Sequence, residues 1–264
     1  DCTVREGEYE GWHLSRLWSE HRELFGDEEG EVFPLLTKII DARADLSIQV
    51  HPDDDYAMKN ENGSLGKTEC WYVLDCEEDT TIIIGHHAKS RKELKSMIDE
   101  GRWSELIREI PVKKGDFFQI TPGTVHAIKG GTMILETQQN SDVTYRLYDY
   151  DRLSGGKPRE LHLKQSIDVI EVPYSPATSD GEPVPTKNKW LKELIHCDRY
   201  IVWRGHTDGE TTLYQDRKFM LISIIDGSGT IGDSKIKKGD HFILPSGFGG
   251  AKLKGTMEMI VSSI

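Results

Sequence analysis

The sequence predicts a mainly β protein built as two small β-barrels or jelly rolls with a helical insertion, and three observations predict it. Short β-branched and aromatic runs such as "ECWYVLDC", "TTIIIGHH", "KFMLISIID" and "TMEMIVSS" alternate with Gly-rich turns, the pattern of an all-β domain. A stretch repeats: Lys113, Gly115, Asp116, Phe118, Gly123, Ala127, Gly131, Thr132 and Met133 recur in residues 237 to 257 at a constant offset of 124. Finally, 264 residues exceed the roughly 150 typical of one domain.

Taken in order, "SRLWSEHRELFG" has apolar positions at helical spacing and ends at Gly26, which suits a left-handed helix cap. "FPLLTKIIDARADLSIQVHP" reads as strand, turn and strand, and with residues 69–76 and 80–87 it is expected to form one sheet. "SRKELKSMIDEGRWSELIREI" interrupts the strands as a helical insertion near 89–110. Ser90 is placed to cap it, Gly101 to break it, and Leu94, Met97, Ile98, Leu106 and Ile107 to be buried. The Pro, Ser and Asp-rich residues 174–188 read as a linker. The expected division is therefore a first domain over 1–173, that linker, and a second domain over 189–264. Since the chain opens on Asp1 and quickly reaches residues rich in chemistry, the N-terminal part of the first domain is expected to be missing.

A net charge of −12 disfavours nucleic acid, and no apolar run approaches the roughly 20 residues of a membrane span. Four cysteines without CxxC spacing read as reduced thiols, Cys70 among them as a buried one. These features predict a soluble, cytoplasmic protein, with a monomer favoured.

Chemistry concentrates in the first repeat. Gln49 and His51 lie two apart on an expected strand and so project from one face; Glu69 opens the next strong strand and His126 follows the corner of the repeat. Two imidazoles, a carboxylate and an amide oxygen suit Zn²⁺, Fe²⁺ or Mn²⁺. A single buried His is more often a hydrogen-bonded structural residue. The repeat argues otherwise, because the second copy keeps the turns but carries Gly250 in place of His126. It likewise carries Ile260 where the first has Glu136, so Glu136 reads as an inward position made polar.

The stretch "GDFFQITPGTVHAI" resembles the second cupin motif, with Thr121 at the usual first proline. The first motif departs from the common pattern: it reads Gln49-Val50-His51, with Glu69 much further on. "PLLTKIIDARADLSIQVHPDDDYA", "GKTECWYVL", "PGTVHAIKGG" and "DVTYRLYDYDR" together resemble the type I mannose-6-phosphate isomerases in their short bacterial form, over nearly the whole chain. That resemblance implies zinc, one per chain, held by Gln49, His51, Glu69 and His126. It also implies a sugar phosphate substrate, mannose 6-phosphate and fructose 6-phosphate being interconverted through an enediol, and further sequence before Asp1.

By the family pattern Lys38, Arg146 and Arg152 are cations for the phosphate, with Ser47 adding a hydroxyl. Arg146 and Arg152 are six apart, so an extended strand would put both on one face. From sequence alone the preferred reading of Arg152 is a surface ion pair with Asp149 or Asp151. For proton transfer the candidates are Glu136, Asp142, Lys67 and Arg146; Asp142 also reads as a turn residue and Lys67 as a solvated lysine. Trp71, Trp103 and Trp203 read as core residues. Two other functions fit parts of the pattern: an Fe-dependent cupin oxygenase, which has no use for the phosphate cations, and a non-catalytic sugar-phosphate sensor, which would bind without turnover.

Overall fold

The structure is a computed structural model that describes residues 1–179 and 182–264. The chain divides into two compact units, residues 35–177 and residues 1–34 with 178–264. Of the expected linker, Asp180 and Gly181 lie outside the described residues.

In the unit 35–177, β1 (Leu35–Ala42), β3 (Glu69–Cys76), β6 (Phe117–Ile120) and β8 (Thr132–Gln139) form one sheet in the order β1-β8-β3-β6. A second sheet, in the order β5-β4-β7-β2-β9, contains β2 (Ile48–Val50), β4 (Thr81–His86), β5 (Ile107–Pro111), β7 (His126–Ala127) and β9 (Tyr145–Tyr148). The expected single sheet is thus two. Each short connection, "DARAD" included, carries the chain from one sheet to the other, so β1 and β2 never pair, nor do β3 and β4.

Trp71, Val73, Ile82, Ile84, Ile120, Ile128 and Ile134 pack as one core cluster. Alternate residues on the five-stranded sheet, Ile48, Val50, Ile83 and Ala127, bury their side chains with Leu94, Met97, Ile98 and Leu106. Those four come from the helices Arg91–Asp99 and Trp103–Leu106, the expected insertion. Ser90 accepts a hydrogen bond from Glu93 N as the cap, and Gly101 follows at φ 66°. A helix not foreseen, Asp54–Asn60, is capped by Asp53, which accepts from Tyr56 N. A short hairpin of β10 (Leu153–Ser154) and β11 (Lys157–Pro158) follows β9, and the helix Leu163–Val169 closes the unit.

The other unit carries β12 (Lys192–His196), β13 (Ile201–Tyr214), β14 (Met220–Ile231), β15 (Ser234–Lys237), β16 (His241–Leu244) and β17 (Gly250–Ser263) in one sheet of order β12-β13-β17-β14-β15, with β16 also on β14. Residues 1–34 group with this unit, whereas the expected first domain ran over 1–173. Trp18, Phe25 and Phe33 form an aromatic cluster with Phe219, at ring distances of 5.1 to 5.7 Å, and Leu24 O accepts from Ser246 N. Sequence patterning sees local periods and not such long-range contacts. The helix Leu14–Glu20 gives way to a 3-10 turn over Arg22–Phe25, stopped by Gly26 in the left-handed region. The end of the expected linker is also part of this unit: Thr186 Oγ1 and Lys187 N donate to Asp216 Oδ2.

The repeat is structural. Lys113 N donates to Asp116 Oδ2 and Lys237 N to Asp240 Oδ2, both at 2.9 Å, with Gly115 and Gly239 at φ 90° and 89°. The copies part company after this turn. In the first, the chain leaves β7 and re-enters the other sheet as β8; in the second, β17 runs unbroken for 14 residues. Gly130 permits the crossing, since a Cβ there would approach Ala44 Cα to 3.1 Å.

Candidate active site

The two sheets of the unit 35–177 place four polar side chains together. Gln49 (β2), His51 (just after β2) and His126 (β7) come from the five-stranded sheet, and Glu69 (β3) from the four-stranded one. One ligand atom each from His51, Glu69 and His126 lie within 4.8 Å of one another, and all three side chains are at most 1% exposed. The spacing of two between Gln49 and His51 works as the sequence suggests, while Ile48 and Val50 turn the other way into the helix-covered core.

Hydrogen bonds fix the histidine tautomers. His51 Nδ1 lies 2.9 Å from Val143 O and His126 Nδ1 2.9 Å from Thr124 O. A carbonyl oxygen only accepts, so both Nδ1 atoms carry hydrogen and both Nε2 atoms present lone pairs. Those two Nε2 atoms are 3.1 Å apart, with Glu69 Oε1 3.3 Å from His126 Nε2 and Oε2 3.5 Å from His51 Nε2. Neither Glu69 oxygen has a hydrogen-bond partner of good geometry, although Lys67 Nζ stands 3.1 Å from Oε2. Two imidazole lone pairs and a carboxylate turned on one buried point repel each other unless a cation lies between them, so these residues fit a divalent metal. Gln49 Nε2 is 3.2 Å from His126 Nε2; rotating the amide would bring its oxygen to the same point.

Electrostatics agree. Burial pushes both imidazoles down, His126 to about 3, so both are neutral and able to ligate at ordinary pH. Burial would raise the Glu69 carboxyl, but His51, Lys67 and His126 outweigh it and hold the group well below the usual carboxylate range.

A second polar row lies on β8 and its neighbours. Lys38 on β1 pairs with Glu136, which pairs with Trp71 on β3. Lys38 Nζ donates to Glu136 Oε1 at 3.1 Å and to Gln138 Oε1 at 2.6 Å, and Trp71 Nε1 donates to Glu136 Oε2 at 3.1 Å. Burial, then repulsion from Glu69, raises the Glu136 carboxyl, with Lys67 and Lys38 opposing. Gln138 and the indole N–H of Trp71 went unassigned in the sequence. Gln138 was detectable, lying two residues after Glu136 and hence on the same face; Trp71 was not, because a tryptophan satisfies a core position equally well.

Strand register corrects the counterpart of Glu136. In the second unit Val261 pairs with Trp203 on β13 and Ile222 on β14, just as Glu136 pairs with Lys38 and Trp71. The equivalent is therefore Val261, one residue beyond the Ile260 implied by the constant offset. Likewise Met220 pairs with Leu244 where Glu69 pairs with Ile120. The register counterparts of Lys38, Glu69, Trp71 and Glu136 are thus Trp203, Met220, Ile222 and Val261, all in the second unit's core, while Gln138 is matched by the polar Ser263.

Other expected residues are placed as follows. Lys67 is buried, 6% exposed, so the solvated reading fails. Ser47 is buried just before β2. Arg146 on β9 pairs with Gln49, as His126 does, so the three share a sheet face; its Nη1 donates to Glu160 O, and its buried Nε has no partner. Asp142 is exposed in the loop before β9. Arg152 does not share a strand with Arg146. β9 stops at Tyr148, and Tyr150 and Asp151 are left-handed at φ 55°, a turn that breaks the two-residue alternation of a strand. The guanidinium of Arg152 is engaged by Asp149 Oδ1, Asp149 O and Asp45 O, and Arg159 grips the same carboxylate.

These features define a cupin-type barrel built around a metal-type centre. One family model, "Phosphomannose isomerase type I, catalytic domain", matches residues 1–75, and another, "Mannose-6-phosphate isomerase, cupin domain", matches residues 193–264. The chain belongs to the type I phosphomannose isomerase family of enzymes. It is 52% identical over 267 residues to mannose-6-phosphate isomerase ManA of Bacillus subtilis, covering 99% of this chain and 85% of that one. It is 45% identical over 272 residues to mannose-6-phosphate isomerase of Streptococcus mutans, with 98% and 83% covered. A crystal structure of the mannose 6-phosphate isomerase from Bacillus subtilis matches with a TM-score of 0.93 at 48% identity, covering 99% of this chain and 85% of that one.

Proposed function

We propose that the chain interconverts mannose 6-phosphate and fructose 6-phosphate with a zinc ion held by Gln49, His51, Glu69 and His126. The observation that carries this reading is the pair of imidazole lone pairs facing each other at 3.1 Å beside a buried carboxylate. When bound there, zinc supplies Lewis acidity and a template for the sugar oxygens.

The reaction moves a carbonyl from C1 to C2. A proton leaves C2 of the open-chain aldose, an enediol forms, and a proton returns at C1. Glu136 is the candidate that carries it: of the two carboxylates considered it is the buried one, and burial raises its carboxyl, which makes it a better proton acceptor than a solvated carboxylate. The ammonium of Lys67 and the guanidinium of Arg146 stabilise negative charge on the enediolate oxygens, Arg146 remaining protonated throughout. Lys38, partly exposed, binds the phosphate with Ser47. Arg152, held by Asp149 and Asp45, supports the loop instead. Burial of the set keeps water from the enediol.

A coupled assay of fructose 6-phosphate formation tests the reading, run before chelation, after it, and with Zn²⁺ restored. Activity should vanish and return. His126→Ala should lose metal and turnover together while circular dichroism stays native; stoichiometric zinc in that variant would overturn the ligand assignment. Turnover without substrate phosphate, or binding without turnover, would point to the oxygenase or the sensor.

A further inference from the structure

Lys67 precedes β3 and so lacks the strand pairing that holds Glu69 on both sides, to Ile120 and to Gln138. Its ammonium is nonetheless buried, and within ion-pair distance among the described residues it has Glu69. A flexible four-carbon stem carrying a buried charge needs its backbone fixed. Two side chains outside the site fix it. Asp54 Oδ1 accepts from Gly66 N at 2.6 Å, Gln139 Oε1 accepts from Thr68 N at 2.8 Å, and Gln139 Nε2 donates to Asp54 Oδ1 at 3.2 Å. The residues flanking Lys67 are therefore gripped by one carboxylate–amide relay. Ser141 Oγ, donating to Leu65 O, and Lys67 N, donating to Pro52 O, complete the hold. Gly66 is required there, because a Cβ would fall 2.3 Å from Asp53 C and 2.5 Å from Asp54 N.

We infer that Asp54 and Gln139 are positioning residues that aim the Lys67 ammonium, acting on turnover and not on metal retention. This rests on the role proposed for Lys67 above. β3 holds Glu69 independently, so loosening the relay releases Lys67 while the metal ligands stay in place.

The test uses Asp54→Asn and Gln139→Leu in the full chain, each alone and combined with Lys67→Met. Three quantities are read on protein whose thermal midpoint confirms folding: zinc content, kcat with KM, and the rate at which an amine-acetylating reagent modifies Lys67 relative to an exposed lysine such as Lys95. The expected result is unchanged zinc content, a fall in kcat of about tenfold or more with little change in KM, and several-fold faster acetylation of Lys67. In the Lys67→Met background neither substitution should lower kcat further. Zinc lost in proportion to activity, or the same loss of kcat in both backgrounds, would overturn the inference and leave a merely structural role. The acetylation rate needs no turnover, so it separates failure of this inference from failure of the isomerase reading.

Discussion

Lys38 and Glu136 face each other across β1 and β8, and their side chains meet at 3.1 Å with the indole of Trp71 closing the other carboxylate oxygen. Both Glu136 oxygens are thus held by donors, which fixes the direction in which the carboxylate presents its charge. Substituting Glu136→Gln keeps the shape and removes the titration. It should lower kcat by about 10²–10⁴-fold while zinc content stays stoichiometric. Near-normal turnover in this variant would assign the proton to another group.

Lys38→Met separates phosphate recognition from chemistry. One charge-assisted hydrogen bond contributes about 1.5–3 kcal/mol, so KM for mannose 6-phosphate should rise by roughly tenfold or more, and weak activity on unphosphorylated mannose should change far less. Equal losses on both sugars would place Lys38 at the reacting carbons.

The second unit supplies a contrast. Val261 occupies the register position of Glu136 but has Trp203 and Ile222 as neighbours in place of Lys38 and Trp71. Val261→Glu would bury a carboxyl without partners, at a cost of about 3–5 kcal/mol in denaturant unfolding. Its folded-state pKa would lie above the unfolded value, so the deficit relative to wild type should shrink as pH falls toward 4. A Val261→Met control should cost less than about 1.5 kcal/mol.

Asp149 gives a further pH test. Hydrogen bonds from Arg159, then Arg152, hold its carboxyl at about 2 against the opposing effect of burial, below an unfolded value near 3.9. A depressed carboxyl contributes stability that is complete above the unfolded pKa and is lost as pH falls through the folded one. The difference in thermal midpoint between wild type and Asp149→Asn should therefore be largest at pH 6 and narrow as pH falls from about 4 toward 2. A gap independent of pH would mean the arginines do not depend on the charge of Asp149.

The fold class and the residues of the candidate metal cluster were legible in the sequence, and the path of the chain between them was less so. Gln49 and His51 follow from the period of two, and His126 from its replacement by Gly250, because both signals are local or repeated. The constant offset matches Glu136 to Ile260 where strand register matches it to Val261, since a repeat counted by offset misses a one-residue change of register. Arg152 was placed on the strand of Arg146 because nothing local marks Tyr150 and Asp151 as left-handed. The aromatic cluster of Trp18, Phe25, Phe33 and Phe219 joins residues some two hundred apart, beyond the reach of any window. Asp54 and Gln139 act through backbone groups, which leave no trace in residue type.

The crossing between β7 and β8 has a geometric meaning. His126 and Glu136 are separated by ten residues, a length that a continuous strand would lay out over about 33 Å along one wall. By leaving one sheet and entering the other, the first copy converts contour length into cavity width, and the two residues end on opposing walls. Two adjacent glycines thus serve as the caliper of the chamber, and the unbroken β17, built on nearly the same words, measures out only a wall.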